Sequence, residues 1–238
     1  MADYIIMTDS SCDLPAAMAA ELELEVLPLS VLIDGRSYVN HLDERDITFK
    51  DCYAALRAGK SATTSAVNVE AFVQAMEPHL QAGRDILYLG FSSALSGTYN
   101  AGAVAARQLS EKYPDRRLYA VDTLSASMGQ GLLVYLTVQQ KRAGATIEQA
   151  RDYAEAQKLH LCHWFTVDDL NHLHRGGRVS ATSAVLGTVL NIKPVLHMDD
   201  EGRLIFMEKV RGRRNSIKRL LDKMRETAIE PDKQIVFM

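Results

Sequence analysis

Apolar and polar positions along the first half of the chain follow two alternating periods. Short apolar runs predict buried strands in the segments YIIM, LEVLPLSVLI, DILYLG and RLYAV. Apolar residues at helical spacing predict helices between them, as in the segment that starts at Val69 and is closed by Gly83. Alternating strands and helices favour parallel pairing through right-handed crossovers, with helices on both faces of the sheet.

The second half of the chain has a different pattern. A polar helix is predicted in TIEQARDYAEAQKLH, followed by a strand in CHWFTV, a loop in RGGRVS and a helix in SAVLGTVLN. The segments KPVLHM and RLIFMEKV flank DDEG, which predicts an antiparallel hairpin with Gly202 in the turn. We therefore predict an α/β fold with two domains. Residues 1–155 form a doubly wound, mostly parallel sheet, and residues 156–238 form a mixed α/β sheet.

The last segment, KQIVFM, is predicted to be a buried strand. A strand that completes a domain is usually followed by one or two polar residues, and none follows Met238. We therefore expect the second domain to lack its C-terminal elements.

Composition and charge exclude several classes of protein. The 238 residues are 47% hydrophobic and 24% charged, with a net charge of −3, so no overall basic field attracts nucleic acid or anionic lipid. One basic cluster lies between Lys209 and Lys223, and a solvated helix face is favoured over a docking patch. No apolar run is long enough for a membrane helix, so no stable membrane insertion is expected.

The cysteines and the N-terminus predict a compartment. Cys12, Cys52 and Cys162 are odd in number, widely spaced and without a C-x-x-C pair, so neither a disulfide framework nor a zinc cluster is indicated. The start, MADYIIMTDSS, has no cationic region and only a short apolar run, which is unlike a secretory signal. We predict a soluble protein of the cytoplasm.

The segment FSSALSGTYNAG follows the predicted strand DILYLG and is rich in hydroxyls. In an open parallel sheet, ligands bind beyond the carboxyl ends of the strands, where helix N-termini attract anions. Small residues allow close approach to the backbone, and hydroxyls donate hydrogen bonds. An anion-binding turn is therefore predicted, although plain helix capping explains the same residues equally well.

Two further polar turns follow predicted strands, TDSSCDLP after the first and VDTLSASMGQG after RLYAV. Each alone is typical of a capped turn, but together they should converge on one edge of the sheet. The segment ATTSAVNVEAF adds Thr63, Thr64 and Ser65 before another helix.

Enzyme and metal motifs fit poorly. The chain has no G-x-S-x-G, P-loop, G-x-G-x-x-G or H-E-x-x-H motif. Four histidines, His160, His163, His172 and His174, have suggestive spacing, but only Cys162 accompanies them in a ligand register, so we predict no metal site. In HRGGRVSATSAV, Arg175 and Arg178 could receive a carboxylate or phosphate, whereas a glycine helix stop explains the glycines but not the arginines.

Taken together, six segments in order make the chain resemble the DegV family. They are IIMTDSSCDLP, TTSAVNVEAF, SSALSGTYNAG, VDTLSASMGQG, FTVDDLNHLHRGGRVS and LNIKPVLHMDDEGRLIFMEKVRGR. The resemblance implies a two-domain protein that holds a long-chain fatty acid in an apolar tunnel between the domains. It also implies a partner, the catalytic subunit of a fatty acid kinase, which would convert the presented carboxylate to an acyl phosphate. No cofactor other than the bound fatty acid is implied.

The resemblance also implies site residues. Thr64 and Ser65 match the family's Thr-Ser turn, and Ser96 and Gly97 match its Ser-Gly turn; these four are the expected carboxylate binders. Arg178 and Arg211 match basic positions at the head-group mouth or the kinase contact. The chain departs from the family at 66–68, where Ala-Val-Asn replaces Gln-Pro-Ser, and it has no counterpart of a C-terminal stretch with a His near Gly-Pro-Gly.

An alternative function is a serine hydrolase that acts on an acyl ester. It would use Ser96 as the nucleophile and a histidine such as His197 as the base. No motif in the sequence positions a base or an orienting acid, so the carrier is the favoured hypothesis and no catalytic residue is predicted.

Overall fold

The computed structural model describes residues 4–168, 170–179, 191–230 and 232–238, without the side chains of residues 171 and 172. The fold divides into two compact units, a first unit of Met1–Lys158 and a second unit of Leu159–Met238. Each unit is described separately below.

A four-stranded parallel sheet forms the centre of the first unit. Its strands are β1 (Tyr4–Asp9), β2 (Glu25–Leu27), β6 (Asp85–Gly90) and β7 (Leu118–Asp122). Their order is β2-β1-β6-β7, so the chain leaves β1 toward one edge and later returns to its other side. This reversal of direction creates a crevice at the carboxyl ends of β1 and β6, where open α/β sheets bind ligands.

Six helices accompany this sheet within the described part of the first unit. They are α1 (Ala16–Glu21), α2 (Phe49–Arg57), α3 (Val69–Gln81), α4 (Thr98–Lys112), α5 (Ser127–Arg142) and α6 (Ile147–Gln157). Their ends follow local chemistry: the side chain of Asn68 accepts a hydrogen bond from the amide of Ala71, and Thr146 and Gln149 form a capping box. Short 3-10 helices span Ser10–Cys12 and Lys158–His160.

The two faces of the parallel sheet bury alternate side chains. Ile5, Met7, Ile86 and Tyr88 lie in one core cluster with apolar side chains of α3 and α4. Because successive side chains of a strand point to opposite faces, Tyr4, Ile6, Leu87 and Leu89 lie on the other face, where α5 and α6 contact the sheet. Both faces are therefore covered, as predicted for a doubly wound fold.

A second sheet in the first unit was not predicted in full. It is antiparallel, with the order β4-β3-β5, and consists of β3 (Leu29–Ile33), β4 (Arg36–Asn40) and β5 (Ala62–Ser65). The Asp34-Gly35 turn, with φ of 52° and 82°, joins β3 to β4. An Asp-Gly pair is a strong hairpin signal, but the polar composition of β4 and β5 hid both strands from a search for apolar runs.

The second unit contains a three-stranded antiparallel sheet in the order β10-β9-β8. Its strands are β8 (Trp164–Thr166), β9 (Ile192–Met198) and β10 (Leu204–Arg211), and its helices are α7 (Asn171–Arg175) and α8 (Arg213–Thr227). The predicted hairpin is confirmed, with Gly202 at a φ of 75° in its turn. The core cluster of this sheet comprises Leu170, Val179 and Leu196 with partly buried neighbours.

Of two further predictions for the second half of the chain, one is wrong and the other falls mostly outside the described residues. The segment KQIVFM is not a strand, and Met238 is 94% exposed, so the prediction of a buried strand is wrong. An apolar run becomes a strand only when a neighbour completes its backbone hydrogen bonds, and no described strand pairs with it. The helix predicted in SAVLGTVLN falls on 183–191, of which only Asn191 belongs to the described residues.

Candidate functional site

The buried carboxylate of Asp9 lies at the carboxyl end of β1 and is fully inaccessible to solvent. Its Oδ2 accepts hydrogen bonds from the hydroxyl of Tyr88, at 2.9 Å, and from the backbone amide of Phe91, at 3.0 Å. Tyr88 belongs to β6, and Phe91 begins the segment FSSALSGTYNAG. One carboxylate oxygen therefore joins the first polar turn to the second.

The other oxygen of Asp9 extends this network to a third turn. Oδ1 accepts hydrogen bonds from the amide of Ser11, at 3.2 Å, from the hydroxyl of Ser11, and from Nε2 of Gln130, at 3.3 Å. Gln130 lies in VDTLSASMGQG and also donates to the hydroxyl of Thr8, at 3.1 Å. The prediction that the three polar turns meet at one edge of the sheet is therefore confirmed.

A second carboxylate, Asp122 at the end of β7, holds the same turns from the next strand. It accepts hydrogen bonds from the amide of Ser93, at 3.2 Å, and from the amide of Leu124, at 3.1 Å. The amide of Ser92 donates to the carbonyl of Ser125, at 2.9 Å. Backbone groups that would otherwise be unpaired are thereby satisfied, which fixes the path of the chain between β6 and α4.

Burial sets the protonation of the groups around Asp9. Burial raises the pKa of Tyr88 well above its usual value, and the charge of Asp9 raises it further, so the phenol remains a donor. The pKa of Cys12 is raised by burial to about 12, which leaves an unreactive thiol.

Ser96 and Gly97 lie at the start of α4. The side-chain oxygen of Ser96 is 2.9 Å from the hydroxyl oxygen of Thr98 and accepts a hydrogen bond from the amide of Thr98, at 3.2 Å. Gly97 is the N-cap residue, with a φ of −72°, and a Cβ built on it would meet nothing within 4 Å. Both the capping and the anion-binding interpretations fit this helix N-terminus, because a hydroxyl can accept one hydrogen bond and donate another.

Thr64 and Ser65 differ from the prediction in their local backbone structure. The resemblance implies a turn, but both residues belong to β5, where Thr64 pairs with Val31 and Ser65 pairs with Ser30. Consecutive side chains of a strand point to opposite faces, so the two hydroxyls cannot both face one ligand on the same side of this sheet. Both side chains are exposed.

Arg178 and Arg211 belong to the second unit and are both exposed. Nη1 of Arg178 donates to the carbonyl of Gly176, next to Gly177, which has a φ of 75°. Arg211 is the last residue of β10 and pairs with Ile192. Their assignment to a head-group mouth or a partner contact stays a prediction.

The nucleophile and the base of the hydrolase hypothesis, Ser96 and His197, each have interaction partners other than those that a catalytic pair needs. Both hydrogen bonds of the Ser96 side chain are with Thr98, which is not a base. Nδ1 of His197 lies 3.0 Å from the carbonyl oxygen of His163, and its ring stacks on Trp164 with centroids 4.5 Å apart. The described residues contain no cluster of His, Cys, Asp and Glu that could hold a metal ion. Among them, no helix is long and apolar enough to cross a membrane.

Comparison with known proteins identifies the family. A family model described as "Uncharacterised protein, DegV family" matches residues 4–238. The chain belongs to the DegV family. A DegV domain-containing protein of Clostridium perfringens is 44% identical over 238 residues, which is 100% of this chain and 81% of that relative.

Solved structures of DegV proteins share this fold. A fatty-acid-binding DegV family protein of Thermus thermophilus has a TM-score of 0.82 and 31% identity, covering 95% of this chain and 78% of that one. A stearic-acid-binding protein of Eubacterium ventriosum has a TM-score of 0.84 and 27% identity, covering 94% and 78%.

Several residues that build this edge of the DegV protein were not predicted individually. Asp9, Ser10, Tyr88, Gln130 and Asp122 hold the turns together, but sequence analysis singled out only the hydroxyl-rich segments around them. A usable signal existed for two of them, because Asp9 and Asp122 each stand at the last position of an apolar strand. A carboxylate at that position is available to the backbone amides of the next turn.

Proposed function

We propose that this DegV protein binds a long-chain fatty acid and presents its carboxylate to a separate kinase for acyl-phosphate formation. The observation that carries the proposal is the likeness of fold and sequence to the fatty-acid-binding protein of Thermus thermophilus. The stearic-acid-binding protein of Eubacterium ventriosum supports the same ligand class. The tunnel between domains that the resemblance implies stays a prediction.

The energetics of such a ligand divide into an apolar and a polar part. Burying a methylene group contributes about 0.8 kcal/mol, so roughly 15 methylenes offer about 12 kcal/mol before the costs of ordering and association. A desolvated carboxylate without donors would cancel much of that gain. A fatty-acid carrier therefore needs hydrogen-bond donors at one end of an apolar cavity.

The proposed donors for the carboxylate come from two elements of the first unit. Ser96 and Gly97 offer a hydroxyl and backbone at the N-terminus of α4, and Thr64 and Ser65 offer hydroxyls on β5. Since the side chains of Thr64 and Ser65 point to opposite faces, one of them binds the carboxylate and the other does not. Thr64 is the candidate of the pair, because it shares a face with Val31 and Ile33, and Ile33 is buried.

The proposed partner and location follow from what the chain contains. The sequence has no P-loop motif, so ATP chemistry is assigned to another protein. Arg178 and Arg211 are the proposed contacts for the head group or for that kinase. Cys12, Cys52 and Cys162 are all free thiols, which fits the cytoplasm.

The test is to extract lipid from the purified protein and identify it by mass spectrometry, after native mass spectrometry of the intact protein. We expect one acyl chain for each protein molecule. A mock purification from the same host without the expressed protein is the control. Protein that carries no acyl chain, and that takes up none when incubated with free fatty acids, would contradict the proposal.

A further inference from the structure

Asp9 and Ser10 are neighbours in the chain, and both are buried, with exposures of 0% and 1%. They stand where β1 ends and the first polar turn begins. Their side chains make hydrogen bonds to two different parts of the first unit, and these are the parts that carry the proposed carboxylate binders.

Asp9 holds the part that carries Ser96 and Gly97. All five hydrogen bonds that its carboxylate accepts come from neutral donors, on Ser11, Tyr88, Phe91 and Gln130. The bond from the amide of Phe91 fixes the first residue after β6. Because a buried carboxylate loses its hydration, each of these donors is needed, and the arrangement tolerates little displacement.

Ser10 holds the part that carries Thr64 and Ser65. Its hydroxyl oxygen accepts hydrogen bonds from the backbone amide of Leu29, at 3.0 Å, and from Nδ2 of Asn40, at 3.2 Å. Leu29 is the first residue of β3 and Asn40 is the last residue of β4, which pair with each other. A single hydroxyl therefore anchors one end of the antiparallel sheet.

Ser10 is connected to β5 through a single intervening strand, β3. Ser30, the residue after Leu29, pairs with Ser65, and Val31 pairs with Thr64. A displacement of β3 at its Ser10 end would therefore be passed to both residues through the backbone hydrogen bonds of the sheet.

From this arrangement we infer that Asp9 and Ser10 are positioning residues that set the two halves of the carboxylate site against each other. Asp9 fixes the turn that leads to Ser96, and Ser10 fixes the sheet that presents Thr64. The inference rests on the proposed function, and neither residue is assigned a contact with the ligand. Donors from separate elements bind one small anion well only when their spacing is held to about 0.5 Å.

The first experiment compares two ligands of the same length, a free fatty acid and its methyl ester. In Asp9→Asn and in Ser10→Ala, we expect affinity for the free acid to fall about tenfold or more, as for lost hydrogen bonds to a charged group, and affinity for the ester to change far less. Thr137→Val is the control, since the buried Thr137 hydroxyl donates only to the carbonyl of Leu133, at 2.8 Å. Equal losses for acid and ester, or no loss, would overturn the inference.

The second experiment needs no ligand and measures amide hydrogen exchange. Asp9→Asn should accelerate exchange at 91–98 and leave 29–40 unchanged, whereas Ser10→Ala should accelerate exchange at 29–40 and 62–65 and leave 91–98 unchanged. Each fast segment should exchange about tenfold faster, while Thr137→Val changes neither. If both variants loosen the same segments, the inference fails. If the wild-type protein binds no fatty acid but the two variants show this crossed pattern, the proposed function alone is overturned.

Discussion

At the edge of the parallel sheet in the first unit, Asp9, Ser10 and Gln130 are buried, and Asp9 accepts hydrogen bonds from neutral groups only. The charged side chains of the second unit lie mostly in solvent and pair with one another, as Arg219 does with Glu208 and Glu226. A buried network loses much of its stability when one member is removed, whereas exposed ion pairs are weak and easily exchanged. The first arrangement suits a fixed ligand site, and the second suits a surface that meets a partner.

One buried side chain of the second unit, that of His163, is an exception to this contrast. Its protonation gives the largest effect on stability that we predict. His163 has an Nδ1 that is buried without a hydrogen-bond partner in the described structure, and burial lowers its pKa to about 4, helped by the charge of His197. An unfolded histidine titrates near 6.5, so between these values the unfolded state binds more protons. Stability is therefore expected to fall as the pH falls from about 6.5 to 4, by about 3 kcal/mol in total.

The measurement is the free energy of unfolding by denaturant as a function of pH, with fluorescence of Trp164 as a probe in the second unit. His163→Gln should remove most of the slope between about pH 6.5 and 4. His41, a half-buried histidine of the first unit that lies beside Arg45, supplies the control His41→Gln, in which the slope due to His163 should persist. A slope that survives in His163→Gln would mean that other groups cause the acid sensitivity.

In the first unit, the largest predicted effect comes from crowding the Asp9 network. A Cβ added to Gly102 would lie 2.5 Å from Cε1 of Tyr88, whose ring is fully buried and whose hydroxyl is held by Asp9. Gly102→Ala should therefore destabilise the protein by about 1–3 kcal/mol, in spite of the better helix propensity of alanine. Gly97→Ala, with open space around the added carbon, is the control for stability and should cost less than about 1 kcal/mol. Equal costs would show that Tyr88 can move.

The parts of this fold that sequence analysis predicted are those where burial leaves a pattern. The strands β1, β6 and β7 are apolar runs with helices between them, and the β9–β10 hairpin has alternating residues around Gly202. The sheet of β3, β4 and β5 was missed in part, because β4 and β5 are polar and half-exposed and are recognisable only through turn chemistry. The prediction for the final segment, KQIVFM, was wrong for the opposite reason. The segment is apolar, but an apolar run does not specify a partner strand.

Sequence analysis predicted where the candidate site lies in the fold, but it did not predict the hydrogen bonds that hold the site together. Hydroxyls and small residues behind strands mark the sheet edge, but two of the donors to Asp9, Tyr88 and Gln130, are 79 and 121 positions away in sequence. Such pairings depend on the packing of β6 and α5 against β1, and no local pattern records them. The turn implied for Thr64 and Ser65 is a strand because pairing with β3 determines their backbone.

A smaller effect, on affinity, separates the roles proposed for the two units. Ser96→Ala combined with Thr64→Ala should lower affinity for a free fatty acid by about tenfold to a hundredfold and affinity for its methyl ester much less, because only the acid carries a charge to be met by donors. Arg211→Ala serves as the comparison in the second unit. If Arg211 is a kinase contact, its loss should leave acid binding unchanged and slow acyl-phosphate formation. Equal losses for acid and ester in the double variant would remove Ser96 and Thr64 from the carboxylate site.

The smallest predicted effect concerns the ion pairs of α8. Nε of Arg219 lies 2.6 Å from Glu208 and Nη1 lies 2.8 Å from Glu226, and both carboxylates raise the pKa of the guanidinium while remaining accessible to solvent. Arg219→Met keeps the aliphatic stem and removes both pairs, so we expect a thermal midpoint close to that of the wild type. Any difference should vanish at about 1 M salt, where the Debye length is about 3 Å. Glu208→Gln, which removes only the pair between Glu208 and Arg219, should have half the effect or less. A loss of stability in Arg219→Met that is as large as that in Gly102→Ala and resistant to salt would contradict this expectation. It would mean that these ion pairs stabilise the second unit as the buried network stabilises the first, and the contrast between the two units would not hold.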